Sequence, residues 1–305
     1  MNLFKESLKK FLKIFGYQIS RNSEILESNL PVNYGTASLV PRSPADFDSD
    51  LEYAISVGES YVKDINEAGL NIAGKEILEI GPGINFGCAL ILLWNGAETV
   101  TVIDKYLAKF VADYHDKFYH DLRVRYFERN FEKFDSNIEN LMTYQNLLSN
   151  ARLIAKECSL ENITDSTFDI TLSCAVLEHV ENPKSSVNNL FLVTRENGFG
   201  SHQVDFRDHR NFEKPLEYLL LDEMSFFELF ESVHGECGNR TRSFQWTSLF
   251  KEFFGDRTTV VPNMWVEETY FNDFILRLSK SNMSNFSKYD PDELKVLSGK
   301  IKFVK

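Results

Sequence analysis

Four side chains able to move protons crowd into eight consecutive positions: His202, Asp205, Asp208 and His209. The segment Ser201–Phe206 reads as a strand, and alternate strand residues share a face. His202 then falls with Val204 and Phe206, and Asp205 with Gln203. The four groups cannot converge unless the strand ends by Asp205, which leaves Asp205, Asp208 and His209 as the reactive set. An imidazole titrates near neutrality, so His209 can take the proton of an acceptor hydroxyl while Asp205 or Asp208 orients it. The competing reading is that the carboxylates pair with Arg207 and Arg210 and only hold the loop. His179 is a further candidate, which either caps a helix or faces the same cleft.

Upstream, Glu79 precedes a tight turn, Gly81-Pro82-Gly83. Ile77, Leu78 and Ile80 form a short apolar run suited to a buried strand, and Cys88 to Trp94 resumes as an apolar helix. Strand, glycine turn and helix in that order are how an open α/β sheet binds a nucleotide-like ligand. Gly81 and Gly83 can adopt backbone angles closed to other residues and admit a ligand to the main chain. With Gly87 they make a loose dinucleotide pattern, one residue longer than usual. The carboxylate of Glu79 argues for a different ligand, because it repels a pyrophosphate and suits an ammonium group. Thr99 to Ile103 is a β-branched run ending at Asp104. A carboxylate at that strand end can accept both hydroxyls of a ribose. S-adenosylmethionine has such an amino-acid end, together with a ribose, an adenine and no phosphate.

Leu78-Glu79-Ile80-Gly81-Pro82-Gly83 resembles the first motif of class I S-adenosylmethionine-dependent methyltransferases. Asn85 stands where a third glycine is common, and the glycine comes at Gly87. Leu153-Ile154-Ala155 is a third strand, followed by Glu157 and Cys158. Phe168 to Ser173 is a fourth, followed by Leu177-Glu178-His179-Val180. The span from Glu157 to Val180 resembles the family's middle region, and the resemblance extends over roughly residues 50–305. It implies an acidic residue at Glu157 holding the adenine amino group. Cys158 and Ser173 then join Glu79, Gly81, Gly83, Gly87, Asp104 and Glu157 in a site for S-adenosylmethionine. It also implies an α/β fold with a doubly wound, mostly parallel, seven-stranded Rossmann-like methyltransferase sheet. Some O-methyltransferases bind a divalent ion through Glu-x-x-Glu-His. Here Ala175-x-x-Glu178-His179 lacks the first ligand, so no metal is expected unless His209 or Asp208 replaces it. The Asp205-Phe206-Arg207-Asp208-His209 loop and Asn239-Arg240-Thr241-Arg242 resemble methyltransferases of bacterial surface-glycan gene clusters. Arg240 and Arg242 either hold an anionic group of the acceptor or clamp acidic loops of the protein itself.

Other elements must position these groups. Asp48 to Leu70 reads as a helix beside the first strand. Residues 107–148 and 210–242 exceed what crossovers need and read as helical insertions. The first is dense in Tyr, Phe and His around Tyr114 to His120, and either shapes the cleft or forms a homodimer surface. Thr258 to Val261 and Ile301 to Val304 complete the sheet. Residues 48–305 form the catalytic domain and 1–47 an N-terminal cap of amphipathic helix and strap. In that helix Leu3, Phe4, Leu8, Phe11, Leu12 and Phe15 share a face, with Lys5, Lys9, Lys10 and Lys13 opposite. Residues 1–17 can therefore rest on an anionic membrane surface or dock on the domain or a second subunit.

At 305 residues, 43% hydrophobic and 26% charged, the composition is that of a globular protein. The net charge of −12 argues against a nucleic-acid substrate. The longest apolar run, Cys88 to Trp94, is too short to span a membrane. The cysteines Cys88, Cys158, Cys174 and Cys237 lack metal-ligand spacing and fit reduced thiols in the cytoplasm, with contact at the inner membrane face if residues 1–17 bind it. The expected function is methyl transfer to a small-molecule or glycan acceptor, at a hydroxyl of a sugar or lipid-linked glycan. Alternatives are an N- or C-methyltransferase of secondary metabolism, a non-catalytic cofactor-binding scaffold, and an NAD-linked oxidoreductase.

Overall fold

The computed structural model describes residues 47–108, 110–131, 143–163, 167–281 and 284–305. Residues 1–46, which hold the expected amphipathic helix and strap, lie outside the described residues. Seven strands form one sheet: β1 (Glu76–Ile80), β2 (Thr99–Asp104), β3 (Leu153–Glu157), β4 (Phe168–Cys174), β5 (Thr194–Asp205), β6 (Thr258–Trp265) and β7 (Val296–Val304). Their order is β3-β2-β1-β4-β5-β7-β6. The first five pair in parallel, and β7 runs antiparallel to β5 and β6. This is the mostly parallel, doubly wound α/β sheet expected.

Helices cover both faces, so β1 and β2 are buried along nearly their whole length rather than on alternate residues. On one face lie α1 (Phe47–Glu67), α2 (Gly87–Trp94), α3 (Ala112–Arg129) and α4 (Tyr144–Ser149). Their Leu51, Ile91, Leu122 and Leu147 belong to one core with Ile77, Val100 and Ile170. On the other face α5 (Pro183–Val193) and α7 (Ser243–Phe254) bring Leu190, Trp246 and Phe250 against Leu78, Val204 and Ile301. Between them in sequence stands α6 (Glu223–Ser232). A third cluster, with Leu216, Phe274 and Leu294, joins the segment before α6 to α8 (Glu268–Lys280) and α9 (Pro291–Leu294).

Two departures from the expected elements have local causes. β5 starts at Thr194, well before Ser201, because its glycines belong to the strand. A side chain at Gly200 would come within 2.2 Å of the Phe303 ring, so glycine here admits a neighbouring strand's aromatic. The register also shifts between Phe168 and Ile170, and Asn197 takes a left-handed φ of 62°. The second departure is Leu177–His179, expected to open a helix, which makes only a single 3-10 turn. The true helix α5 begins at Pro183, which supplies a preset first turn, with Asn182 capping the Ser185 amide at 3.0 Å.

The strand order reverses between β1 and β4. Sheets of this kind bind ligands in the crevice at that point, beyond the carboxyl ends of the strands.

Candidate active site

β1 carries Glu79 to this crevice. The residue is 2% exposed, and its Oε2 has no hydrogen-bond partner. Burial raises its pKa to about 8, against the Cys88 thiol and the Ala89 amide, which favour the anion. A buried polar atom without a partner is costly, and a ligand's ammonium group would satisfy it. The following turn places Gly81 at φ 69° and Gly83 at φ 74°, in the region that favours glycine. A side chain at Gly81 would strike Val176 Cγ2 at 2.4 Å, so the loop after β4 packs directly on the turn. Gly87 has a different environment. It opens α2, and a Cβ there would meet Ala54 Cβ at 2.7 Å. Its amide is taken by Asn85 Oδ1 at 2.9 Å, so what its small size serves is the packing of α2 on α1.

Asp104 ends β2. Burial raises its pKa to about 6, against a bond from the Tyr106 amide, and the charge of Glu157 adds to the rise. Glu157 lies opposite it on β3 and is exposed. The Cys158 amide donates to Asp104 O at 2.9 Å. Glu79, Asp104 and Glu157 therefore stand at the ends of three adjacent strands. An ammonium, a pair of ribose hydroxyls and an adenine amino group match these three carboxylates in that order. Ser173 departs from its expected role, because its hydroxyl is turned into the core, 2.8 Å from His202 Nδ1. That imidazole stacks near Phe303, with ring centroids 5.7 Å apart. Burial pushes its pKa down to about 3, so it is neutral.

On the other side, β5 ends at Asp205, as convergence of the loop residues required. Arg207 donates to Asp205 Oδ1 from Nε at 2.9 Å and to Oδ2 from Nη2 at 2.6 Å. His209 Nε2 lies 3.5 Å from Asp205 Oδ2. Burial works against ionisation of Asp205, but His209 and Arg207 outweigh it and hold the carboxyl well below its ordinary range. The His179 ring sits edge-on to His209 with centroids 5.0 Å apart. His179 Nδ1 is 3.0 Å from Gly235 O, and burial lowers its pKa. Asp205, His209 and His179 are thus brought together. Asp208 is not. It is 1% exposed and accepts from Arg210 Nε at 2.8 Å and Nη2 at 2.5 Å. Of the two carboxylates expected as alternatives to orient His209, Asp205 is the one facing the imidazole, and Asp208 clamps its own loop.

Arg240 and Arg242 also clamp the protein itself. Arg240 donates to Leu221 O at 2.9 Å and pairs with Glu223 at 3.0 Å. Arg242 is fully buried and donates to the carbonyls of Phe206, Leu294 and Val296. Three residues that shape the site were not among the expected site residues, although Glu178 stood in the incomplete metal motif. His115 Nε2 lies 2.7 Å from Ile84 O, and Tyr119 Oη accepts from the Phe86 amide at 3.1 Å. Both come from α3 and pin the loop after Gly83. The density of aromatic residues and histidine in that segment was the available signal. The third is Glu178, 2% exposed, with neither carboxyl oxygen partnered. Burial raises its pKa well above the ordinary value, against its own backbone amide, and the charge of Asp205 adds to the rise. Among the described residues, no group of three or more His, Cys, Asp or Glu could hold a metal ion.

No known family model matches this chain, and no curated protein matches it. Solved structures do resemble it. A proposed sarcosine dimethylglycine methyltransferase from Galdieria sulphuraria is 13% identical with a TM-score of 0.45, over 82% of this chain and 86% of the other. A proposed O-methyltransferase from Nostoc punctiforme is 11% identical with a TM-score of 0.45, over 93% and 67%. Phosphoethanolamine N-methyltransferase 2 from Haemonchus contortus, in complex with S-adenosyl-L-methionine, is 14% identical with a TM-score of 0.39, over 76% and 48%. A likeness this loose carries no argument about activity.

Proposed function

We propose that this protein is an S-adenosylmethionine-dependent methyltransferase acting on a hydroxyl of a sugar or lipid-linked glycan. The observation that carries the reading is Glu79, a buried carboxylate with an orphaned oxygen beside a glycine turn, at the point where strand order reverses. The cofactor supplies a methyl group already made electrophilic by its positively charged sulfur. Glu79 would hold its ammonium group, Asp104 its ribose hydroxyls and Glu157 its adenine amino group. Gly81 and Gly83 let the main chain come close.

A hydroxyl is a poor nucleophile at neutral pH, so the acceptor must be aligned and its proton removed. His209 is suited to that task. Its Nε2 lies 3.5 Å from Asp205 without a hydrogen bond in this structure; closing that gap would leave Nδ1 to take the proton, with the Asp205 carboxylate stabilising the imidazolium that results. His179, edge-on to His209, packs against that ring. The charged loop favours chemistry over a passive scaffold, and its likeness to glycan methyltransferases supports the sugar acceptor. For residues 1–17 we propose contact with an anionic membrane surface, on the strength of the lysine face. No described helix is long and apolar enough to cross a membrane.

Calorimetry with S-adenosylhomocysteine and with NAD tests the cofactor. Binding of the first without the second is expected, and tight NAD binding with no response to S-adenosylhomocysteine would sink the assignment. Mass spectrometry of acceptors incubated with labelled cofactor then identifies the methylated atom.

A further inference from the structure

We propose that Glu178 binds the acceptor through two adjacent hydroxyls, so that the substrate class is a sugar ring bearing a vicinal diol. This rests on reading the crevice as a methyl-transfer site. Glu178 lies in the turn joining the two halves of that crevice. On one side Val176 packs on Gly81 of the glycine turn. On the other, Asp205 and Arg207 act on the Glu178 carboxyl group. The Glu178 charge also reaches Tyr53 of α1 and Cys174 at the end of β4, which touch each other at 3.6 Å.

The turn is fixed from behind. Asn239 Nδ2 donates to Leu177 O at 2.8 Å and Val180 O at 3.1 Å, and the Asn239 amide donates to Glu178 O at 2.7 Å. Ala175 is held at a left-handed φ of 55°, strain that persists only where surroundings over-determine it. A backbone fixed this firmly presents one buried acidic side chain that only the backbone amides of Glu178 and Asp205 approach, and neither of its oxygens has a well-formed hydrogen bond. Buried polar groups are nearly always hydrogen-bonded, so an orphan asks for an explanation.

Two orphaned oxygens on one carboxyl group match two donors side by side, which either adjacent hydroxyls or an ammonium supplies. Asp205 and Arg207 already neutralise each other at 2.6 Å. Burial favours the uncharged form of Glu178. An uncharged carboxyl donates one hydrogen bond and accepts another, as a diol does. The cofactor's ammonium is already matched by Glu79, and the positive charge of Arg207 acts on Glu178, so a neutral diol fits this carboxyl better than a second cation.

The test measures S-adenosylhomocysteine affinity by calorimetry in wild type, Glu178→Gln and Glu178→Leu. It then measures transfer of labelled methyl to methyl pyranosides of glucose, galactose and mannose. Each is paired with a deoxy counterpart lacking the hydroxyl beside the methylated one. The expected result is a rise in KM of roughly 10- to 100-fold in both variants, with kcat and S-adenosylhomocysteine affinity within about twofold of wild type. The deoxy sugar should raise the wild-type KM similarly and the variants' KM no further. Glu178→Gln keeps the side chain's shape, so it reports even if Glu178→Leu does not fold. Unchanged KM in the variants overturns the inference, as does loss of S-adenosylhomocysteine binding in Glu178→Gln. Preference for amino sugars assigns Glu178 to an ammonium and overturns it too, as does a wild type that binds S-adenosylhomocysteine but methylates no glycoside. Failure of the wild type to bind S-adenosylhomocysteine is instead the failure of the underlying methyltransferase reading.

Discussion

A carboxyl group at Glu79 is more stable uncharged than charged, because water is excluded and Oε2 has no donor. Its pKa of about 8 in the folded protein stands against an ordinary value of 4.5. The folded state binds that proton more tightly than the unfolded chain does. As pH rises from 4.5 to about 8, the unfolded state ionises first, and stability falls through that window. Glu79→Gln removes the penalty. Its melting temperature should exceed that of wild type at pH 8 and approach it at pH 5, while its affinity for S-adenosylhomocysteine drops. If an ammonium group binds the carboxylate, complex formation at pH 7 must also expel a proton. Calorimetry in buffers of different ionisation enthalpy should detect that release in wild type and not in Glu79→Gln. At the acceptor side, His209→Ala should lose turnover by ~10²–10⁴-fold, the usual contribution of a general base, with S-adenosylhomocysteine affinity little changed. Added imidazole should restore part of the rate. Asp205→Asn should impair the same step, whereas Asp208→Asn should loosen the loop held by Arg210 and leave the chemistry largely intact. If the His209 variant keeps near-normal turnover and His179→Ala abolishes it, the base is the other histidine.

At the scale of elements, the glycine turn depends on a helix far from it in sequence. α3 holds the loop at Ile84 and Phe86 through His115 and Tyr119. Tyr119→Phe leaves a buried amide without its acceptor, at a cost of about 1–3 kcal/mol. It should lower the melting temperature and weaken S-adenosylhomocysteine binding without changing the acceptor's KM. An unchanged cofactor affinity would reduce α3 to packing. The strands β1, β2 and β4 are readable from sequence within a residue or so, because they are short runs rich in Ile, Leu, Val, Thr and Phe bounded by turn residues. β5 is readable only in its second half, since Gly198 and Gly200 look like a turn until Phe303 is seen filling the space. The candidate site is legible unevenly for a similar reason. Glu79 and Asp104 announce themselves by standing at strand ends. The choice between Asp205 and Asp208 as the partner of His209 depends on the path of the loop, set partly by the Asp208 amide donating to Pro215 O at 2.8 Å. The isolation of Glu178 is set by what packs around it, which no local pattern encodes.

Over the whole molecule, charge is unevenly spread. The chain carries −12 in all, yet residues 1–17 hold four lysines against Glu6, a balance of +3 that leaves −15 for the remainder. A strongly acidic body is repelled by an anionic bilayer, so any attachment must come from this segment. Each lysine near such a surface contributes about 1 kcal/mol, and the attraction fades beyond a Debye length of ~10 Å at 0.1 M salt. In the helix expected from the sequence, Leu3, Phe4, Leu8, Phe11, Leu12 and Phe15 share a face that would add burial at the headgroup boundary. Full-length protein should therefore sediment with vesicles containing phosphatidylglycerol at low salt and be released as salt rises. It should ignore vesicles of phosphatidylcholine alone. Deleting residues 1–17 should abolish sedimentation while S-adenosylhomocysteine affinity stays the same, because the proposed cofactor residues all lie between 79 and 158. If the full-length protein stays in solution at low salt, the segment has a structural role, docked on the domain or on a second subunit. In that case its deletion should change the melting temperature or the sedimentation coefficient instead.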